Sequence, residues 1–282
     1  MASRRSAVRA REPRPRLRKA LGQHHLTSPE LCRPAVEYLG LGRDEGWRGR
    51  ILEIGPGGGV LTGALLDAGW EVLAVELDLA WVVELRRRLG ARARTLAGSR
   101  LRVVAGDALD LRFRGLGEDW AVAGNLPYAI STAVVERVLD DAPAGTRCAF
   151  LVQKEVADRL LATPGSRTYG SLSVLVSLRT RGRRLARVRP GSFHPPPKVE
   201  SAFIGLEVQD SQLEREVWMG LKQTVRAAFA QRRKTLANGL TAAFGAQRAR
   251  AALESCGIEA SLRAEALRPA DFLGLHRSLT GP

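Results

Sequence analysis

Glu53-Ile54-Gly55-Pro56-Gly57-Gly58-Gly59 decides the fold. A short apolar run at 51–54 ends in this glycine cluster, and residues 60–68 then follow with helical spacing. Strand, glycine turn, helix is the opening of a nucleotide-binding α/β unit, because glycines let the backbone turn tightly and approach a ligand closely. Moving outward, 71–75 is a second buried run and 79–89 a second helix. Further apolar runs lie at 101–105, 120–123 and 147–152, with a helical stretch at 132–139 between the last two. This rhythm predicts a mostly parallel, doubly wound, Rossmann-like sheet. Two segments, 184–190 and 201–208, predict an antiparallel pair at the sheet edge, joined by the proline-stiffened loop Phe193-His194-Pro195-Pro196-Pro197-Lys198. Beyond about residue 209 the pattern is wholly helical. The expected organisation is therefore a basic tail over 1–20, an α/β domain over 21–208 and a small helical C-terminal domain over 209–282.

Ligands in such sheets bind at the carboxyl ends of the strands. Each strand end here carries chemistry. Val60 stands where the dinucleotide fingerprint GxGxxG requires glycine, so the turn carries no pyrophosphate signature. Glu76 ends the second strand, 21 positions after Gly55, where an acid can bind ribose hydroxyls. Asp107, in Gly106-Asp107-Ala108, ends the third and can accept from an adenine amino group. Together these make an adenosine pocket, which fits S-adenosylmethionine (SAM) better than NAD. Singly, Glu76 and Asp107 could equally be helix caps or surface acids.

After the fourth strand comes Gly124-Asn125-Leu126-Pro127-Tyr128. An exocyclic adenine amine is a poor nucleophile because its lone pair is delocalised into the ring. Two acceptors that hold its N–H groups can turn that pair out of the plane. Asn125 offers a side-chain oxygen and Leu126 a backbone carbonyl, which Pro127 holds extended by restricting the residue before it. Tyr128 offers a stacking face, worth about 1–3 kcal/mol per base. The methylated amine sheds its proton to solvent, so no general base is required. The competing reading is a plain turn with a buried tyrosine.

The chain has 282 residues and a net charge of +15. The excess is concentrated. Residues 1–20 carry eight basic groups and one acid, and residues 179–198 carry seven basic groups and no acid. Such local fields suit a polyphosphate partner; a solvated tail and loop is the plainer account. The tail also has some transit-peptide character, against which its prolines argue. No apolar run approaches 18 residues and no secretory h-region follows the basic start. Cys32, Cys148 and Cys256 form neither a disulfide ladder nor a CxxC zinc pattern, so a reducing cytoplasm is expected, with no metal.

With these motifs in place, the sequence resembles the KsgA/RsmA ribosomal RNA adenine dimethyltransferases over about residues 19–280. The landmarks are Leu21-Gly22-Gln23-His24-His25-Leu26, Glu53-Ile54-Gly55-Pro56-Gly57, Val75-Glu76-Leu77-Asp78, Gly106-Asp107-Ala108 and Asn125-Leu126-Pro127-Tyr128. Further on come Gln153-Lys154-Glu155-Val156, Tyr169-Gly170-Ser171-Leu172-Ser173-Val174, Pro195-Pro196-Pro197-Lys198-Val199-Glu200-Ser201-Ala202 and Gln231-Arg232-Arg233-Lys234-Thr235-Leu236. The resemblance implies that Gln23, His24 and Leu26 lie against SAM, that Gly55 and Gly57 line its methionine part, and that Glu76, Asp107 and Ala108 hold its adenosine. It implies that Asn125 to Tyr128 hold the target base with Phe193 on the other face. Arg232, Arg233, Lys234 and Lys198, with the two basic segments, would grip RNA phosphates. The implied substrate is a pair of adjacent adenines in the 3′-terminal hairpin loop of small-subunit (16S) rRNA, each dimethylated, within an assembling small subunit and by a monomer. The family usually has Phe where this chain has His25, which puts the packing beside SAM in question. Three alternatives are weighed against this: an Erm-type methyltransferase of large-subunit rRNA conferring macrolide resistance, a non-catalytic RNA-binding assembly factor on the same fold, and an NAD oxidoreductase. The intact pocket and the motifs after residue 150 argue against them.

Overall fold

The computed structural model describes residue 15 and residues 24–41, 49–95, 98–117, 119–211, 213–231 and 234–281. The expected tail over 1–20 therefore falls outside the described residues, Pro15 excepted.

Seven strands form the central sheet: β1 (Arg50–Ile54), β2 (Glu71–Glu76), β3 (Leu101–Ala105), β4 (Trp120–Asn125), β5 (Arg147–Gln153), β6 (Thr180–Val188) and β7 (Ser201–Val208). Their order is β3-β2-β1-β4-β5-β7-β6. All pairs from β3 to β5 are parallel, and β7 runs antiparallel to both of its neighbours. The sheet is thus Rossmann-like, with the expected antiparallel hairpin at its edge. β6 is the outermost strand and begins at Thr180, four residues before the predicted start. Gly182 is a poor strand former, and pairing of Arg181, Gly182 and Arg183 with Glu207, Leu206 and Gly205 of β7 overrides that.

Alternating residues of the buried strands feed two cores. Ile51, Val72 and Val103 face α1 (Arg33–Leu39), α2 (Val60–Asp67) and α3 (Leu79–Leu89). Leu52, Ile54 and Val122 face α4 (Ser131–Asp141), α5 (Lys154–Leu160) and α6 (Ser171–Arg179). The C-terminal helices α7 (Arg215–Phe229), α8 (Leu236–Phe244), α9 (Ala246–Ser255) and α10 (Pro269–Thr280) share that second core. Tyr169 helps to seal the junction. Its hydroxyl donates to the Leu267 carbonyl at 3.0 Å and its ring meets Phe229 edge-on. Asp140 of α4 accepts from Lys222 Nζ (2.6 Å) and Trp218 Nε1 (2.8 Å) of α7.

The strand order reverses between β1 and β4, the switch point at which an open α/β sheet leaves a crevice. One connection across it has no counterpart in the periodicity. His25–Leu26 pairs antiparallel with Phe193–His194, tying the N-terminal segment across the carboxyl ends of the strands. Thr27 fastens the same strap, its N–H donating to the Ser192 carbonyl at 3.0 Å.

Candidate active site

A cavity of about 270 Å³ opens at this crevice. His24, His25 and Leu26, the glycine turn, Glu76, Asp107, Ala108 and Asn125 to Tyr128 all line it. Elements far apart in sequence therefore converge as the strand-end argument expects. Gln23, Arg232 and Arg233 lie outside the described residues. Lys198 and Lys234 are exposed and do not line the cavity.

The glycine turn is shaped by backbone conformation and by one ring. Gly55, Gly57 and Gly59 have φ of 62°, 47° and 70°, the left-handed region in which a side chain is strained. A Cβ on Gly57 would come 2.7 Å from His25 Nε2, and one on Gly58 would come 2.8 Å from His25 Nδ1. The imidazole thus lies directly against the turn, and it also meets Trp81 edge-on at 4.6 Å between centroids. The His25 ring fills the space between the glycine turn and Trp81.

Glu76 is buried, and its two oxygens are shared out. One accepts from Gly57 N and the other from Asp78 N, both at 3.0 Å. Burial raises its pKa while these two N–H groups pull it down. Asp107 Oδ1 accepts from Leu109 N at 2.8 Å and caps a short 3-10 turn over Ala108–Asp110. The cap and the acceptor roles are compatible, since each carboxylate oxygen has a second lone pair. Two acids in an otherwise largely apolar lining offer acceptors for the donors of a ribose and an adenine.

Glu53, quoted above only as part of the turn motif, proves to be a fully buried carboxyl beneath α2. Neither of its oxygens has a hydrogen-bond partner in good geometry; Thr62 is close enough to temper the effect of burial, which pushes the acid up to about 8. Glu76 nearby pushes in the same direction.

At the end of β4, Asn125 Nδ2 donates to the His24 carbonyl at 2.8 Å. The Leu126 N–H donates to the Leu151 carbonyl at 3.1 Å. Among the described residues nothing donates to Asn125 Oδ1 or to the Leu126 carbonyl. Tyr128 is held at three points. Its hydroxyl meets Ser201 Oγ at 2.8 Å, its carbonyl accepts from Ser131 Oγ at 3.1 Å, and its ring lies 5.4 Å from the His24 ring at 30°.

The expectation that Phe193 faces the base is corrected. Phe193 is 3% exposed, packs in the α1–α3 core with Leu26, and does not line the cavity. Its backbone pairing with Leu26 draws it inward. The ring that accompanies Tyr128 at the mouth is His24.

Among the described residues no group of histidine, cysteine and carboxylate side chains is arranged to hold a metal, and no helix is long and apolar enough to cross a membrane.

Comparison with known proteins places this geometry. The family model described as "Ribosomal RNA adenine dimethylase" matches residues 14–280. The chain is similar to ribosomal RNA small subunit methyltransferase A of Geobacter sulfurreducens, at 41% identity over 94% of this chain and 95% of that protein. It is similar to the same-named protein of Rubrobacter xylanophilus, at 39% identity over 97% of this chain and 98% of that one. Among solved structures it shares its fold with a dimethyladenosine transferase from Plasmodium falciparum, with a TM-score of 0.74 and 24% identity over 89% of this chain and 96% of that one. It shares it also with the 23S rRNA methyltransferase ErmE, with a TM-score of 0.65 and 24% identity over 90% and 98%. This chain belongs to the ribosomal RNA adenine dimethylase family.

Proposed function

We propose that the protein transfers methyl groups from SAM to the N6 amines of two adjacent adenines in the 3′-terminal hairpin loop of small-subunit rRNA, giving N6,N6-dimethyladenine. The observation that carries this reading is the pair of unengaged acceptors at the cavity, Asn125 Oδ1 and the Leu126 carbonyl. A carbonyl oxygen can only accept, so His24 dictates which end of the Asn125 amide faces it. The NH₂ is committed there, and the oxygen is left for an amine.

The residues present fit SAM. Glu76 and Asp107 offer acceptors to a ribose and an adenine, and the left-handed turn at Gly55 and Gly57 leaves room for a methionine moiety. Bound SAM supplies an electrophilic methyl group on a sulfonium. The protein's part is then positional. Asn125 Oδ1 and the Leu126 carbonyl take the two N–H hydrogens of the amine and aim its lone pair at the cavity. Tyr128, fixed by Ser201, supports the face of the extruded base. Loop bases are partly unstacked already, so extrusion costs little. The proton leaves to solvent through the open mouth. Orientation of this kind can supply about 7–11 kcal/mol of a barrier.

The acceptor is an rRNA within an assembling small subunit, met by a monomer in the cytoplasm. Lys198, Lys234, Arg232 and Arg233 meet its phosphates, the last two outside the described residues. The test is incubation of the purified protein with labelled SAM and each ribosomal subunit from cells lacking the modification. Label in the 3′-terminal hairpin of small-subunit rRNA supports the reading. Label confined to large-subunit rRNA replaces it with the Erm-type activity, and none on either subunit removes it.

A further inference from the structure

The outermost strand carries a feature that the methyl-transfer chemistry does not use. β6 bears Arg181, Arg183, Arg184 and Arg187, and Arg189 follows it. Arg184 is neutralised by Asp158, which also holds Lys154. The other four are exposed and make no ion pair among the described residues. Exposed arginines also keep a sheet edge from pairing with another chain, but that purpose requires no particular placement.

The placement of Arg183 is particular. Its guanidinium lies over the Tyr38 ring, 4.7 Å from the centroid. Tyr38 is 6% exposed and is wedged from below against Gly205, where a Cβ would come within 2.7 Å of the ring. Arg183 and Gly205 are register partners on β6 and β7. Backbone, phenol and guanidinium thus form a fixed stack whose outer layer is cationic and planar. A second cavity of about 290 Å³ opens beside it, lined by Pro34, Leu41 and Leu185 among others. Its one acid, Glu37, is occupied by Arg33 at 3.5 Å. Arg181 lies on the same face, two residues along the strand.

The opposite end of β6 leads to the catalytic loop. Val188 pairs with Ser201, and Ser201 holds the Tyr128 hydroxyl. From Arg183 to Val188 is about 17 Å of strand, within reach of the few nucleotides flanking a base held at Tyr128.

We propose that the β6 edge is an RNA-docking site in which Arg183, mounted on Tyr38, stacks an unpaired nucleobase while Arg181 on the same face takes a neighbouring phosphate, and Arg187 and Arg189, turned to the other face by the register shift at Phe203–Ile204, take phosphates of a strand that wraps the edge. The site deepens the rRNA-methylation reading and rests on it. Unpaired bases stack on guanidinium planes as on aromatic rings, and the adjoining arginines supply the charge that a phosphate chain requires.

The experiment measures binding of an rRNA fragment holding the 3′-terminal hairpin and its flanking single strands, across a salt series. The full chain is compared with Arg183→Ala, Arg183→Lys and Arg187→Ala/Arg189→Ala; SAM affinity and melting temperature serve as folding controls. Arg183→Ala is expected to weaken binding roughly tenfold with little change in the log–log salt slope, because Arg183 stacks a base and takes no phosphate. Arg183→Lys should not restore the affinity, since lysine keeps the charge without the plane. The double variant should flatten the slope by about 1.4, roughly 0.7 for each phosphate contact on a single strand. Arg183→Lys binding as tightly as the parent removes the stacking role, and Arg183→Ala binding as tightly removes the site. If the unaltered protein methylates no small-subunit rRNA, the functional reading fails instead, and the two failures are told apart.

Discussion

Asn125 and His24 are joined by one hydrogen bond, from the amide NH₂ to the backbone carbonyl at 2.8 Å. The bond links a cavity-lining side chain on β4 to a strap 101 residues away in sequence, and it fixes which amide atom faces the cavity. In Asn125→Asp an ionised carboxylate would meet the His24 carbonyl, acceptor against acceptor. The strap should loosen, and the Thr27 amide, bonded to Ser192, should exchange at least about tenfold faster with solvent deuterium, a loss near 1.4 kcal/mol. Unchanged exchange at Thr27 would show that the strap holds without Asn125.

The His25 ring and the glycine turn give a second expectation. Gly58→Ala meets only His25 Nδ1, a side-chain atom, whereas Gly57→Ala also has to hold a φ of 47°. The defect of Gly58→Ala in SAM binding should therefore be relieved by adding His25→Ala. Gly57→Ala should stay defective in the same background and be destabilised by roughly 1–2 kcal/mol. Calorimetric titration with SAM on the two double variants separates them. Equal rescue of both would mean that backbone conformation is not the constraint at Gly57.

Much of the site was legible because strand ends are where short apolar runs stop. Ile54, Glu76, Asp107 and Asn125 could be placed together from punctuation alone. The strap was not, because a two-residue pairing of His25–Leu26 with Phe193–His194 has no periodicity and spans 168 positions between Leu26 and His194. Phe193 was misplaced for the same reason: without the strap, nothing in the sequence draws its ring into the α1–α3 core. The helices α1, α5 and α6 leave little periodic signal in the sequence. α6 buries five successive residues, Leu172 to Val176, and so shows little amphipathic contrast. Glu53 looked like one more motif letter because burial of a carboxyl leaves no mark on its neighbours in sequence.

That carboxyl sets a pH dependence. Its folded pKa, about 8, lies above the ordinary value of 4.5. Its contribution is fully present below about pH 4.5 and is lost as pH rises toward 8, because only the unfolded chain gives up the proton over that window. His276, buried against Thr224, is shifted down by burial and acts in the opposite sense, its contribution being lost as pH falls below 6.5. Glu53→Gln should flatten the fall in stability between about pH 4.5 and 8 and leave the dependence above about pH 8 unchanged. Urea denaturation from pH 5 to 9 reads this out, and a parallel pair of curves for parent and variant would contradict it.

The contact between α4 and α7 should be strongly asymmetric. Lys222→Met leaves the Asp140 carboxylate half-enclosed without its ammonium and should destabilise by roughly 3–5 kcal/mol. Adding Asp140→Leu removes the orphaned charge and should restore most of the loss, although Trp218 Nε1 then also lacks its acceptor. Chemical denaturation of the two variants checks the order; a double variant no more stable than Lys222→Met would place the cost in packing rather than in charge.

The central claim is that the Asn125 oxygen, freed by the commitment of its NH₂ to His24, grips the amine that is methylated. Its most direct test pairs SAM affinity with single-turnover methylation of small subunits in Asn125→Ala. Affinity should stay within about a unit of log scale, 1.4 kcal/mol, while the rate falls by about 10²–10³, the scale of losing one donor or acceptor that acts in the transition state. A rate equal to that of the parent, or a fall fully accounted for by lost SAM binding, would contradict it.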